Sequence, residues 1–169
     1  HATGATDSAI AIAKRAADVD PSLTEPRLIY GALLLEAGRA RDAVHELELL
    51  RAADPTAVAA LGTLGAAYAT AGERGRAEVT LSTLEAAPDN VGAPLAIAKV
   101  RLALGDREGA LQWLRRAAEA HDPAFITEPF LLRFWDRVRD DPRFVDVVRQ
   151  VGLKRITVLR QPTPRPPEE

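Results

Sequence analysis

The chain repeats itself about every 34 residues, and this period limits what it can fold into more than any other feature. A small residue that opens a helix recurs in steps of 34, 34 and 33, at Ala9, Ala43, Ala77 and Ala110. Proline recurs in steps of 34, 33 and 35, at Pro21, Pro55, Pro88 and Pro123. Glycine recurs in steps of 34 and 33, at Gly38, Gly72 and Gly105. Three markers that share one period predict a row of similar units stacked on their neighbours.

Each period contains two amphipathic runs separated by one of the recurring glycines. Glycine directly after a helical run is typical of a left-handed helix cap, so each run predicts one helix of a hairpin. The three predicted pairs are 24–37 with 41–52, 58–71 with 75–86, and 92–104 with 108–120. Only 5% of the residues are aromatic and β-branched residues are scarce before the C-terminal part, which favours an all-α chain.

The residues of these units resemble the tetratricopeptide repeat. The third unit carries Leu61-x2-Leu64-Gly65-x2-Tyr68, then Ala77-x3-Leu81 and Pro88, and the second carries Tyr30-Gly31-x2-Leu34, Ala43-x3-Leu47 and Pro55. The fourth is less regular, with Arg101 in place of an aromatic residue. The resemblance implies a right-handed α-solenoid with units 24–55, 58–88 and 91–123 after a half repeat, 7–21. It also implies a protein–protein interaction scaffold.

Three glycines interrupt the leucine- and alanine-rich stretch 61–73, although an interior glycine costs a helix about 0.5–1 kcal/mol relative to alanine. We expect Gly65 to lie where paired helices cross, and Gly72 to form the turn between them. Gly62 is expected on the groove side, where a larger residue would obstruct a ligand. Packing between neighbouring helices would offset the lost helix propensity.

The two ends depart from the repeat. Residues 1–6 are too short for a first helix and are interpreted as a disordered tag remnant. The half repeat is then either a cap or, as we favour, the remainder of a trimmed array. Residues 124–153 hold all four phenylalanines and predict capping helices over 128–139 and 142–151, with an exposed aromatic docking patch as the alternative. RDDPRFVDVVRQVGL resembles the end of tetratricopeptide arrays in bacterial signalling proteins. Residues 154–169 predict a proline-rich tail or linker.

Nothing in the sequence favours catalysis. The chain has no cysteine, and no nucleophile, zinc-hydrolase or phosphate-loop motif is present. His45 lies near Glu46 and Glu48, but a single histidine does not supply a set of metal ligands. We therefore expect a non-enzyme without cofactor or metal. No apolar run approaches the roughly 20 residues that span a bilayer, and we expect a cytoplasmic protein, or a periplasmic one if a parent protein carries a signal peptide.

Charge divides the chain into an acidic and a basic part. Residues 1–132 hold 13 basic and 18 acidic side chains, net −5, whereas residues 133–165 hold 9 basic and 4 acidic, net +5. Nucleic-acid binding through the basic segment is therefore an alternative function. Interleaved aspartates favour a solvated face instead, so we do not expect nucleic acid to be the main partner.

The family resemblance places the first helix of each hairpin along a concave groove. The inward positions that it implies are Leu28, Ala32, Leu35, Gly62, Ala66, Ala69, Leu95, Lys99 and Leu102. Lys99 is the only charged residue among them, so we expect a helix or apolar peptide of a partner protein rather than a clamped carboxylate. Three alternatives stay open: the groove is filled by the chain itself, by residues 155–160; the chain is a spacer or homodimerisation element; or it binds nucleic acid. The leading interpretation is a binding module of a larger bacterial regulatory or assembly protein.

Overall fold

The structure, a computed structural model, describes residues 2–20, 23–126 and 128–150. Seven long helices come first: α1 (Ala2–Val19), α2 (Thr24–Glu36), α3 (Ala40–Ala53), α4 (Val58–Thr70), α5 (Arg74–Glu85), α6 (Ala93–Ala103) and α7 (Arg107–Glu119). Short elements follow: a 3-10 turn (Pro123–Ile126), α8 (Glu128–Leu131), a second 3-10 turn (Arg133–Trp135), α9 (Asp136–Arg139) and α10 (Pro142–Gln150). The predicted all-α fold is confirmed for the described residues.

The long helices pack as consecutive hairpins, α2 with α3, α4 with α5 and α6 with α7. Each hairpin also packs on the next, through α3 on α4, α4 on α6 and α5 on α6. The first helices α2, α4 and α6 therefore form one row, with α1, α3, α5 and α7 beside it. Packing of each helix against its neighbours supplies the stability that isolated helices of this length lack.

The recurring glycines end the first helix of every hairpin with the same hydrogen bonds. The backbone φ angles of Gly38, Gly72 and Gly105 are 76°, 87° and 90°. Residues that carry a side chain rarely adopt such positive values. At the first turn, Gly38 N–H donates to the Leu35 carbonyl at 3.0 Å and the next amide donates to the Leu34 carbonyl at 2.9 Å. The other two turns repeat this pattern, so the period in the sequence is a period of helix caps.

Two further glycines allow helices to approach closely. A Cβ added to Gly65 would lie 2.6 Å from Val100 Cγ2 and 3.1 Å from Thr80 Cγ2, so this glycine lies where α4 crosses α5 and α6, as expected. A Cβ on Gly62 would lie 2.6 Å from the Cβ of Ala96. Gly62 is thus a buried contact between α4 and α6, not a ligand-facing gap.

The N-terminal residues differ from the prediction. Helix α1 begins at Ala2, so residues 2–6 are helical and extend the half repeat rather than forming a separate disordered remnant. Adding residues to an existing helix requires no new nucleation, which makes the extension favourable even for a short segment that includes glycine.

The C-terminal segment also differs, because 128–139 is not one helix. The backbone of Leu132 is extended, with φ −87° and ψ 130°, and divides the segment into α8, a 3-10 turn and α9. Arg139 donates to the carbonyl oxygens of Pro129 and Leu132 at 3.1 and 2.8 Å and so caps the end of α8. Side-chain hydrogen bonds from Arg139 therefore satisfy carbonyl oxygens that a continuous helix would bond through its backbone. Predicted residues 151–153 and 154–169 lie outside the described part.

The aromatic residues seal the C-terminal end of the row. Phe125, Trp135, Val138 and Phe144 pack with buried residues of α6 and α7 in one core cluster. Trp135 is fully buried, and its ring meets that of Phe134 edge-on at 5.3 Å between centroids. Among the described residues, no helix is both long and apolar enough to cross a membrane.

Candidate partner-binding grooves

The nine predicted groove residues lie on the three first helices, three on each. Those of α2 are half-buried, namely Leu28, Ala32 and Leu35. On α4, Gly62 and Ala66 are buried and Ala69 is half-buried. Those of α6 are all buried, namely Leu95, Lys99 and Leu102. The predicted surface is therefore accessible mainly at α2.

The chain's own C-terminal segment lies on this face. We call residues 128–135 the crossing segment, since it is bonded to α6 at one end and to α2 at the other. Glu128 forms an ion pair with Lys99, with 2.7 Å between Oε1 and Nζ. The two carboxylate oxygens of Glu36 each accept a backbone N–H, from Phe134 and Arg133, both at 3.0 Å. Because α4 lies between α2 and α6, the segment passes over α4.

The charged side chains that hold the two ends of the crossing segment are partly or fully buried. Burial raises the pKa of Glu36 above its ordinary value, although the hydrogen bonds from the two amides act in the opposite direction. Lys99 is 5% exposed, and its ammonium also donates to Thr63 Oγ1 at 3.0 Å. Glu128 accepts a further bond from Trp135 Nε1 at 3.2 Å. The lysine in the groove thus binds a carboxylate of the same chain.

A second groove, between α1 and α2, is open and apolar. It has a volume of about 670 Å³, and only Thr24 and Glu25 among its ten lining residues are polar. The apolar lining residues are Ala9, Ile12, Ala13, Ala16, Leu23, Pro26, Ile29 and Leu33. Ile12, Leu23 and Ile29 are 59%, 51% and 46% exposed. Large apolar side chains that share one exposed patch are typical of a binding surface.

The tetratricopeptide repeat family matches residues 1–64, which include α1, α2, α3 and the start of α4. Residues 1–64 are thus similar to tetratricopeptide repeats. No curated protein matches the chain at a significant level. Repeats of this family generally mediate protein–protein interaction, and the family is generally non-catalytic. The same hairpin geometry and glycine caps continue through α7, beyond the matched residues.

The open groove differs in sequence from the equivalent positions of the later repeats. Ile12 occupies the position of Glu46 and Thr80 in the following repeats, one and two periods later. Ile29 corresponds to Thr63 and Ala96, both of which are buried. The α1–α2 groove therefore carries larger apolar residues than the equivalent positions of the later repeats, where its own surface is uncovered.

Sequence reasoning missed four residues that define the two grooves. Ile12 and Ile29 could have been found by aligning the repeats with one another, because each is an isoleucine where later repeats have smaller or polar residues. Aligning the repeats gives no such signal for Glu36 or Glu128. Their partners are 97 and 29 residues away in the sequence, and neither carboxylate belongs to a motif.

The basic C-terminal arginines are largely paired within the fold. Arg143 binds both Glu108 and Asp141, and Arg149 binds Asp146 at 3.2 Å. Arg143, chiefly through its side-chain hydrogen bond, holds the pKa of Asp141 well below its ordinary range. This pairing leaves fewer cations for an anionic partner. Lys154, Arg155, Arg160 and Arg165 lie outside the described residues.

A polar network fixes the outer side of the second and third repeats. Tyr68 donates to Glu48 Oε1 at 2.8 Å, and Arg76 contacts both residues, with its guanidinium 4.1 Å from the tyrosine ring centroid. Burial, with the hydrogen bond to Glu48, raises the pKa of Tyr68 to about 12. In the described part of the chain no group of three or more histidines and carboxylates is placed to hold a metal ion.

Proposed function

We propose that the chain is a non-catalytic interaction module that binds a helical segment of a partner protein in the groove between α1 and α2. The exposed apolar lining of this groove is the observation that supports the proposal. Burying the apolar area of even two such isoleucines is worth about 3 kcal/mol or more, enough to contribute substantially to a micromolar complex. The arrays that the C-terminal segment resembles favour a larger bacterial regulatory or assembly protein as the context.

The concave face is a second candidate surface for binding the partner protein. Its half-buried α2 residues Leu28, Ala32 and Leu35 are accessible, whereas a ligand reaching α4 and α6 would first have to displace the crossing segment. Displacement would separate the Glu128–Lys99 ion pair and leave a buried ammonium, which is costly. The α1–α2 groove needs no such displacement and is therefore favoured.

Selection from a displayed library of helical peptides tests the proposal without knowledge of the partner. Peptides enriched on the wild-type chain should bind at least tenfold more weakly to Ile29→Lys and equally well to Val79→Lys. Val79 is the matched control, since it is 69% exposed and lies on α5, outside both grooves. Peptides that tolerate Ile29→Lys but are lost with Leu28→Lys would place binding on the concave face. Failure to enrich any peptide would count against the interaction function itself.

Self-association is the alternative that a specific observation favours. Val19, which is 84% exposed, continues the patch of Ile12 and Leu23 along α1, and two copies could pair through it. Light scattering over a concentration series distinguishes the two functions. A dimer that Val19→Lys dissociates would support self-association, and a monomer at every concentration would exclude it.

A further inference from the structure

The crossing segment lies on the concave face as a bound peptide would. The carboxylate of Glu128 meets the Lys99 ammonium of α6, and the backbone N–H groups of Arg133 and Phe134 meet the Glu36 carboxylate of α2. The two N–H groups follow Glu128 by five and six positions in the sequence. These contacts define a pattern that the face accepts, a carboxylate followed at this spacing by two free backbone N–H groups.

The charge of Lys99 is not required for the stacking of the repeats. One and two repeats earlier, the same position holds Ala66 and Ala32. Lys99 is 5% exposed, and Thr63, which accepts from its ammonium at 3.0 Å, is 2% exposed. A buried ion pair is often no more stabilising than an apolar pair of similar volume, whereas a buried ammonium that loses its carboxylate is strongly unfavourable. Lys99 therefore contributes selectivity for a carboxylate rather than strength of attachment.

Glu36 recognises the main chain of the crossing segment rather than its side chains. Each of its carboxylate oxygens accepts one N–H group at 3.0 Å. These N–H groups are available because the extended backbone of Leu132 precedes a 3-10 turn, whose first N–H groups have no carbonyl partner within the turn. Any peptide that turns at this point, without proline at either position, can donate the same two bonds.

We propose that the crossing segment is an exchangeable internal ligand, which closes the concave face until a partner peptide with the same pattern replaces it. The partner peptide carries a glutamate or aspartate five and six positions before two free backbone N–H groups. A ligand that brings its own carboxylate to Lys99 avoids leaving the ammonium unpaired, and this requirement sets the chemistry of the partner. The proposal concerns a different surface from the α1–α2 groove and holds or fails independently of it.

Tethering of the crossing segment to the array favours the closed face when no partner is present. A segment joined by a short linker competes at an effective concentration on the order of millimolar. For an intrinsic dissociation constant of about 1 µM, shared by the segment and a free peptide, this competition weakens binding of the free peptide roughly a thousandfold. Weakening the internal segment should therefore strengthen binding of an unchanged peptide.

A peptide copy of the crossing segment is a suitable probe, because its fit to the face is known. The probe is a fluorescently labelled peptide of residues 126–137 with blocked termini, followed by anisotropy as the full chain is added. The test chain carries Glu128→Gln, which weakens the internal segment but leaves Lys99 and Glu36 in place. The control chain carries Glu78→Gln, which removes a carboxylate from an exposed pair with Arg74. The control peptide carries Glu128→Gln within the probe.

The probe should bind the Glu128→Gln chain at least tenfold more tightly than the wild type, and the Glu78→Gln chain as the wild type does. The control peptide should bind the Glu128→Gln chain at least tenfold more weakly than the probe, because Lys99 then lacks a carboxylate. In the wild type, an excess of probe should accelerate hydrogen exchange of the Arg133 and Phe134 N–H groups, since displacement frees them from Glu36.

The proposal is overturned if the probe binds the wild type and the Glu128→Gln chain equally, or if the two peptides bind the Glu128→Gln chain equally. It is also overturned if no concentration of probe accelerates exchange of the two N–H groups. A wild-type dimer that exchanges crossing segments between copies would overturn it as well, because the face would then be a contact between copies. If circular dichroism shows that Glu128→Gln loses helicity, the exchange measurement on the wild type decides alone.

Discussion

Replacing Glu128 by glutamine tests whether the crossing segment is held by a buried ion pair. The Lys99 and Glu128 side chains are 7% and 20% exposed, and their charged atoms are 2.7 Å apart. At an effective dielectric constant of about 20, that separation gives an attraction of about 6 kcal/mol, most of which compensates for desolvation of the two charges. Removing one partner leaves the other charge buried, for which a cost of about 3–5 kcal/mol is typical.

Two features of the structure adjust this magnitude. Thr63 Oγ1 remains as a partner of the Lys99 ammonium at 3.0 Å, and glutamine can still accept the Trp135 indole N–H, so we expect the low end, about 3 kcal/mol. The crossing segment can also detach from the repeats, which limits the loss to the free energy of detachment. Detachment would release the Arg133 and Phe134 amides from Glu36 and accelerate their hydrogen exchange.

Urea unfolding, followed by circular dichroism and tryptophan fluorescence, measures the loss of unfolding free energy caused by Glu128→Gln. The control Glu78→Gln breaks an exposed pair with Arg74, for which less than about 1 kcal/mol is expected. The double variant Lys99→Met with Glu128→Leu should recover most of the lost stability, because neither charge is then buried. The reasoning is refuted if Glu128→Gln costs no more than Glu78→Gln, with unchanged amide exchange.

Three further substitutions test individual contacts, each by its shift of the urea midpoint. Gly65→Ala should destabilise by about 1–3 kcal/mol despite its higher helix propensity, because the stiff, buried Val100 leaves no room for a Cβ; the control Gly75→Ala, which meets nothing within 4 Å, should be neutral or stabilising. His121→Gly should stabilise by up to about 1 kcal/mol, because His121 has φ 53° just after α7, a backbone conformation that glycine adopts without the steric cost of a side chain; a loss would show that the contact of Nδ1 with the Glu119 carbonyl at 3.0 Å outweighs the backbone cost. The Asp141 carboxylate has a lowered folded-state pKa, so its stabilisation is present above the unfolded pKa of about 4 and is lost as pH falls below it. Asp141→Asn should therefore lower the midpoint at pH 7 more than at pH 3, and an equal shift at both would contradict this.

The sequence predicted the hairpins to within about two residues at each boundary because their signals are local. Glycine at positions 38, 72 and 105 marks a backbone conformation that other residues rarely adopt, so the helix ends could be located without tertiary information. The crossing segment could not be predicted in this way. The carboxylate of Glu36, about 97 residues away in the sequence, accepts hydrogen bonds from the backbone N–H groups of Arg133 and Phe134. In a regular helix these N–H groups would bond to carbonyl oxygens of the same helix. Contacts at such separation leave no periodic pattern.

The groove prediction illustrates the same distinction. Family resemblance predicts which face of each first helix points inward, and this prediction depends on local helix geometry. Whether an inward residue is accessible depends on what else folds onto it, as Leu95 and Leu102 show by packing into the cluster that contains Phe125 and Trp135. The fate of residues 155–160 stays a prediction, since they lie outside the described part.

The two ends of the described array differ in how their apolar surfaces are covered. At the C-terminal end, Trp135 and Phe144 are buried against the last hairpin, so no further helix can stack there without displacing them. At the N-terminal end, Ile12 and Ile29 stay about half exposed at positions that the next repeat covers with α2. Among the first helices, α4 packs against both α2 and α6, whereas α2 packs against α4 only. Under the proposed function, a helix bound beside Ile12 and Ile29 would draw its binding free energy from the same kind of close apolar packing that stabilises the fold.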